Sequence, residues 1–138
     1  MPPSYLLDTS ALAAHFLGEP GGDFVADCLR KRQAAICALT AVEFHLLLKR
    51  HGMKIAEWRR VWALCRETVV RVHAVDEAVA NLAVEIRTRG TGRIPLADAC
   101  IAACAACHGL TLIHADGHYA ALPSQVKAIN LRTLGHVP

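Results

Sequence analysis

Four carboxylates interrupt apolar stretches of this 138-residue chain: Asp8 closes the run YLL, Glu43 lies in TAVEF, Asp98 in PLADACIAA, and Asp116 ends LIHAD. The chain has only 12 acidic residues and is 54% hydrophobic, so an acid inside an apolar segment needs a reason. Two unit charges 4 Å apart repel by about 4 kcal/mol at an effective dielectric of 20. A bare cluster would therefore weaken the fold or raise its own pKa values. A hard divalent cation removes that cost, and carboxylate oxygens are the ligands that Mg2+ and Mn2+ prefer. With water as nucleophile such a site fits phosphodiester hydrolysis, because the metal lowers the pKa of its water and neutralises charge on the scissile phosphate and leaving oxygen.

Each acid also has a purely structural explanation. Thr40-Ala-Val-Glu43 matches a capping box. Asp98 near a helix start gains from the macrodipole, Asp8 can hold the turn before a helix, and Asp116 with Gly117 can shape a turn. Four independent caps, however, have no reason to share one edge of a sheet.

The elements decide whether they do. Residues 4–7 form a short apolar run stopped by Asp8-Thr9-Ser10, and ALAAHFL reads as a helix up to the break at 18–22. A second helix is expected over 23–33, a strand over 35–39, and a helix over 40–51 ended by basic side chains and Gly52. Ile55, Trp58, Val61, Trp62 and Cys65 stripe one face of a helix over 54–67. A β-branched strand follows at 68–75 and a helix at 76–88. Gly90, Gly92 and Pro95 mark a loop before an alanine-rich helix over 95–107, then a buried strand over 110–113 and a last strand over 125–131. Short apolar strands alternating with helices predict an α/β fold, a three-layer α/β/α sandwich around a parallel sheet, as one domain over 1–138. In such a sheet the carboxyl ends of the strands and the starts of the helices share an edge. Asp8, Glu43, Asp98 and Asp116 all map to it.

The remaining composition narrows the classes. No apolar run reaches the length of a membrane span and the N-terminus lacks a signal-peptide pattern, so a cytoplasmic protein with no membrane partner is expected. Net charge is +3, which permits a polyanion partner without demanding one. Arg87, Arg89 and Arg93 bracket the glycine-rich turn before Asp98, where they are candidates for phosphate contacts that position a polyanion without reading its sequence. The six cysteines read as free buried thiols, with Cys100, Cys104 and Cys107 on one helix face. Trp58 and Trp62 read as packing residues.

In this order and spacing, LLDTSAL, TAVEF, PLADACIAA and LIHAD resemble the successive motifs of the PIN-domain nucleases, and the size matches the VapC-like toxins of toxin–antitoxin pairs. The resemblance implies a five-stranded parallel sheet and an Mg2+ site, with Mn2+ as the other option, built from Asp8, Glu43, Asp98 and Asp116. It implies that Thr9 supports the first aspartate, that the substrate is RNA, and that the chain forms a homodimer and pairs with an antitoxin, in a complex that can extend to operator DNA. The last motif departs from the family, with His114, His118 and Tyr119 where a Thr, a second acid and a Phe are common. A non-catalytic PIN-fold RNA-binding or scaffold protein and an RNA-processing nuclease are the alternatives. A haloacid-dehalogenase-like phosphatase would need an acid at Ser10, a receiver domain would need a better-placed lysine than Lys127, and no glycine-rich phosphate loop is present.

Overall fold

The computed structural model describes residues 3–89, 94–119 and 122–134. Within them five strands alternate with six helices: β1 (Tyr5–Leu7), α1 (Thr9–Phe16), α2 (Gly22–Arg30), β2 (Ala34–Cys37), α3 (Ala38–Arg50), α4 (Ile55–Thr68), β3 (Val72–His73), α5 (Glu77–Arg89), α6 (Leu96–Cys107), β4 (Thr111–His114) and β5 (Ala128–Asn130). The strands form one parallel sheet in the order β3-β2-β1-β4-β5.

Side chains alternate across a strand, and the register turns that alternation into layers. Leu6 lies beside Ala35 and Leu112, and Leu7 beside Ile36 and Ile113. The first set packs with Val79 and Ile86 of α5 and Ile101 and Cys104 of α6. The second set packs with Leu12, Val25, Phe44 and Cys65 from α1 to α4. Two apolar cores thus sandwich the sheet. Helix α6 is buried over most of its circumference, including Ala99 and every residue from Ile101 to Ala105, and its small side chains let it lie close to its neighbours. Helices α1 and α2 also approach closely: a Cβ at Gly22 would stand 2.5 Å from the Ala14 carbonyl oxygen.

Several expectations need correction. The strand expected over 68–75 is reduced to Val72–His73 because α4 continues through Thr68, whose Oγ1 donates to the Cys65 carbonyl at 2.7 Å. Val69 is instead buried in the core beneath α1 to α4. As an edge strand, β3 has a ladder partner on one side alone. The last strand shrinks likewise to Ala128–Asn130, and Leu131–Thr133 turns into a 3-10 helix capped by Asn130. All six cysteines are free, but Cys107 is exposed and Cys100 half-buried, since α6 turns its outer face to solvent there. Trp58 and Trp62 stack on each other with centroids 5.7 Å apart and pack against the second core. Among the described residues no helix is long and apolar enough to cross a membrane.

Candidate active site

Parallel strands deliver their carboxyl ends to one edge, and the four acids meet there. Asp8 follows β1 directly, Asp116 lies two residues beyond β4, Asp98 is in the first turn of α6, and Glu43 is in α3, which follows β2 without a loop. Together with Thr9, Ser10, Leu47 and Arg50 they line a cavity of about 200 Å3.

Each acid is also held by a structural bond. Asp8 is the N-cap of α1: its Oδ1 accepts from the Ala11 amide at 2.8 Å and from the Ser10 hydroxyl at 2.7 Å. Ser10 Oγ in turn accepts from the Ala115 amide at 2.9 Å, tying the β1–α1 junction to the segment that carries Asp116. Glu43 Oε1 accepts from Thr9 Oγ1 at 2.7 Å. Asp116 Oδ1 accepts from the His118 amide at 2.9 Å, closing a tight turn. The second oxygens of Asp98 and Asp116 both meet His118 Nδ1, at 3.0 and 3.2 Å.

The capping box at Thr40 and Glu43, the structural alternative for that acid, does not form. Helix α3 starts at Ala38 with Cys37 as N-cap and no side-chain capping bond, so Thr40 sits inside the first turn and Glu43 in the second. The Thr40 hydroxyl is buried without a partner, and the Glu43 carboxylate is left for Thr9 and the cavity.

Electrostatics follow from burial. Asp8, 3% exposed, has its pKa pushed up to about 7 by desolvation, against the lowering effect of its bonds to Ala11 and Ser10 and with a further upward push from Asp98. Asp98 is raised by burial first and then by Asp116 and Glu43, with His118 opposing. Tyr119 is buried beside Asp8. Its hydroxyl has no partner of good hydrogen-bond geometry, and burial together with Asp8 and Asp98 drives its ionisation well upward. Carboxylates that repel one another around a small cavity are a donor set that fits a divalent cation. Oxygens of Asp98 and Asp116 and a nitrogen of His118 lie within 4.8 Å of one another.

The model of the PIN domain matches residues 5–124. The chain belongs to the PIN-domain family. Solved structures share this PIN fold. One, a toxin–antitoxin complex from Klebsiella pneumoniae, matches with a TM-score of 0.73 at 23% identity over 93% of this chain and 98% of that one. The VapBC2 complex of Rickettsia felis, bound to a promoter DNA fragment, matches with a TM-score of 0.74 at 17% identity over 94% and 98%. A Pyrobaculum aerophilum protein matches with a TM-score of 0.61 at 28% identity over 96% and 92%. No curated protein matches the chain by sequence.

Several residues around this cavity escape a reading of the sequence. Arg50 could have been found, because Glu43, Leu47 and Arg50 stand at i, i+4 and i+7 and so share one face of α3. Ser10 was visible only as part of the Asp-Thr-Ser segment, with no local signal that it would reach Ala115. His118 gave the signal of departing from the family pattern, but its two carboxylate partners depend on a 3-10 turn over Gly117–Tyr119. The arginines fare differently. Arg87 lines a separate groove between α5 and α6 with Val84, Leu96 and Cys100, Arg89 is exposed at the end of α5, and Arg93 lies outside the described residues.

Proposed function

We propose that this PIN domain is a divalent-metal-dependent endoribonuclease that hydrolyses RNA phosphodiester bonds with water, and that it is the toxin of a toxin–antitoxin pair. The convergence of Asp8, Glu43, Asp98 and Asp116 on one cavity carries this reading. These four would hold Mg2+ or Mn2+. When bound, such an ion lowers the pKa of a water and offsets charge on the phosphate and leaving oxygen.

The chain's own residues supply the rest. Asp8 stays fixed because Ala11 and Ser10 pin one of its oxygens, and Thr9 sets the angle of Glu43. Ser10 serves to hold Asp8 and the Ala115 amide in place, and the proposed step is direct hydrolysis by water without a covalent enzyme intermediate. Arg50, at the rim, offers a guanidinium to the phosphate. Arg87 and Arg89, which do not line the cavity, and Arg93 are proposed as weaker contacts to the RNA backbone.

The toxin part rests on the fold shared with a structure described as a toxin–antitoxin complex, with a member of the VapBC family of toxin–antitoxin systems, and with VapBC2 bound to promoter DNA. A cognate antitoxin, a homodimer, a larger assembly on operator DNA and a cytoplasmic location are parts of the same proposal. Exposed apolar side chains support a helical partner: Val42 and Leu46 on α3, Ile55 and Leu64 on α4, beside a groove lined by Val42, His45, Trp58 and Trp62.

Purified protein should cleave RNA with Mg2+ or Mn2+, stop on addition of excess EDTA, and be inhibited by the product of a neighbouring antitoxin gene. Cleavage undiminished by EDTA rejects the metal mechanism, and indifference to any neighbouring gene product rejects the toxin role alone. Thr9→Val should lower metal affinity or cleavage by about 10–100-fold, as loss of a group that orients a ligand does. Metal titration and a cleavage time course check it, with circular dichroism as the control for folding.

A further inference from the structure

We propose that His118 is itself a metal ligand of this site, through Nδ1, and that it shifts the preferred ion from Mg2+ toward Mn2+. The proposal deepens the one above and rests on the carboxylates holding a divalent cation.

The geometry fits a metal ligand. Nδ1 stands 3.0 Å from Asp98 Oδ2 and 3.2 Å from Asp116 Oδ2. Adjacent ligands of an octahedral ion at about 2.1 Å are separated by about 3.0 Å, the edge of the octahedron. Both nitrogen–oxygen distances thus already have the spacing of neighbouring ligands, and the three groups bring their donor atoms within 4.8 Å of one another. Nδ1 faces both carboxylate oxygens, so a cation held by those oxygens would meet the same edge of the ring.

The local fold supports the role. Asp116 Oδ1 accepts from the His118 amide, so the turn that fixes one ligand also aims the other. The next residue, Tyr119, is buried, with its unpartnered hydroxyl beside Asp8, and anchors this corner from below. His118 keeps 56% of its side chain exposed, so an ion can reach it from solvent. The His114 ring offers a different arrangement: it is buried, its Nδ1 faces the Asp116 amide at 3.4 Å, and the ring packs on Tyr119.

Chemistry then sets the preference. Mg2+ takes oxygen ligands almost exclusively, whereas first-row transition ions accept imidazole nitrogen as well. An imidazole at a corner otherwise built of carboxylates favours Mn2+ over Mg2+ without excluding the latter.

The test needs no RNA. Mn2+ is added to the chelator-treated protein and binding is followed by loss of the free-ion EPR signal, with Mg2+ as competitor; pulsed EPR then looks for 14N coupling to the bound ion. Wild type should show 14N coupling. His118→Asp should lose it and move the Mn2+:Mg2+ affinity ratio toward Mg2+ by about tenfold or more. His118→Asn provides a second variant that also removes the nitrogen donor at this position; it should likewise lose the coupling. Mn2+ bound by wild type without 14N coupling, coupling that survives both substitutions, or an unchanged affinity ratio overturns the histidine ligand and leaves the carboxylate site standing. Absence of any Mn2+ binding overturns both.

Discussion

Asp8→Asn should abolish RNA cleavage while making the metal-free protein more stable at pH 8. The two effects have one cause, a carboxylate desolvated in the floor of the cavity. Its pKa of about 7 in the folded protein lies above the ordinary 3.8, so the folded state holds a proton that the unfolded chain releases. The stability contributed by that proton is fully present below pH 3.8 and is lost as pH rises through about 7. A gap of this size corresponds to at most about 4 kcal/mol. Asn is neutral at every pH and still caps α1 by accepting from the Ala11 amide. Urea denaturation after chelator treatment should therefore give similar stabilities near pH 4 and a variant more stable by a few kcal/mol at pH 8. Cleavage should fall by more than the ~10–100-fold that follows loss of a group merely orienting a ligand. A variant no more stable than wild type at pH 8 would remove the electrostatic argument, and retained cleavage would remove Asp8 from the site.

Phe44→Ala should do the reverse, costing about 3–5 kcal/mol of stability while leaving cleavage by the folded fraction largely intact. Phe44 is fully buried, with its ring 5.2 Å from Phe16 and 5.7 Å from Trp58. It ties α3 to α1 and α4, and truncation leaves a cavity that neighbouring rings fill only in part. Glu43, one residue earlier, keeps its bond to Thr9 and hence its direction. Urea unfolding followed by tryptophan fluorescence measures the loss, because Trp58 faces the new cavity. A cost under about 1 kcal/mol would mean that the three helices close over the gap and that Phe44 is not the keystone of this layer.

Comparing these two positions shows why some of the molecule was legible in the sequence. Phe44, Leu6, Leu7, Ile36 and Ile113 belong to apolar runs whose spacing defines strands and helices, so the layers and the parallel sheet followed from pattern alone. The four acids were legible because they break those runs at one edge. Treating cap and ligand as rival roles was less successful. Asp8 caps α1 with one oxygen and Asp116 shapes a turn with one oxygen, and in each case the bond orients the rest of the carboxylate. Element ends were poorly legible, as at Thr68, which continues α4 by donating to the Cys65 carbonyl, and at Thr40, where Glu43 turns to Thr9, 34 positions away, in place of a capping bond. His118 and the Ser10–Ala115 bond are products of tertiary structure, joining residues 20 and 105 positions apart.

That long-range bond bears on how the protein is made. The central strand β1 is synthesised well before β4, one of its two sheet neighbours. Asp8, Glu43 and Asp98 can be in the growing chain while Asp116, His118 and the Ala115 amide that steadies Ser10 are still unmade. A nascent chain therefore lacks the complete site until β4 and the turn after it have left the ribosome, so the order of strands in the sheet acts as a timer on the acidic centre.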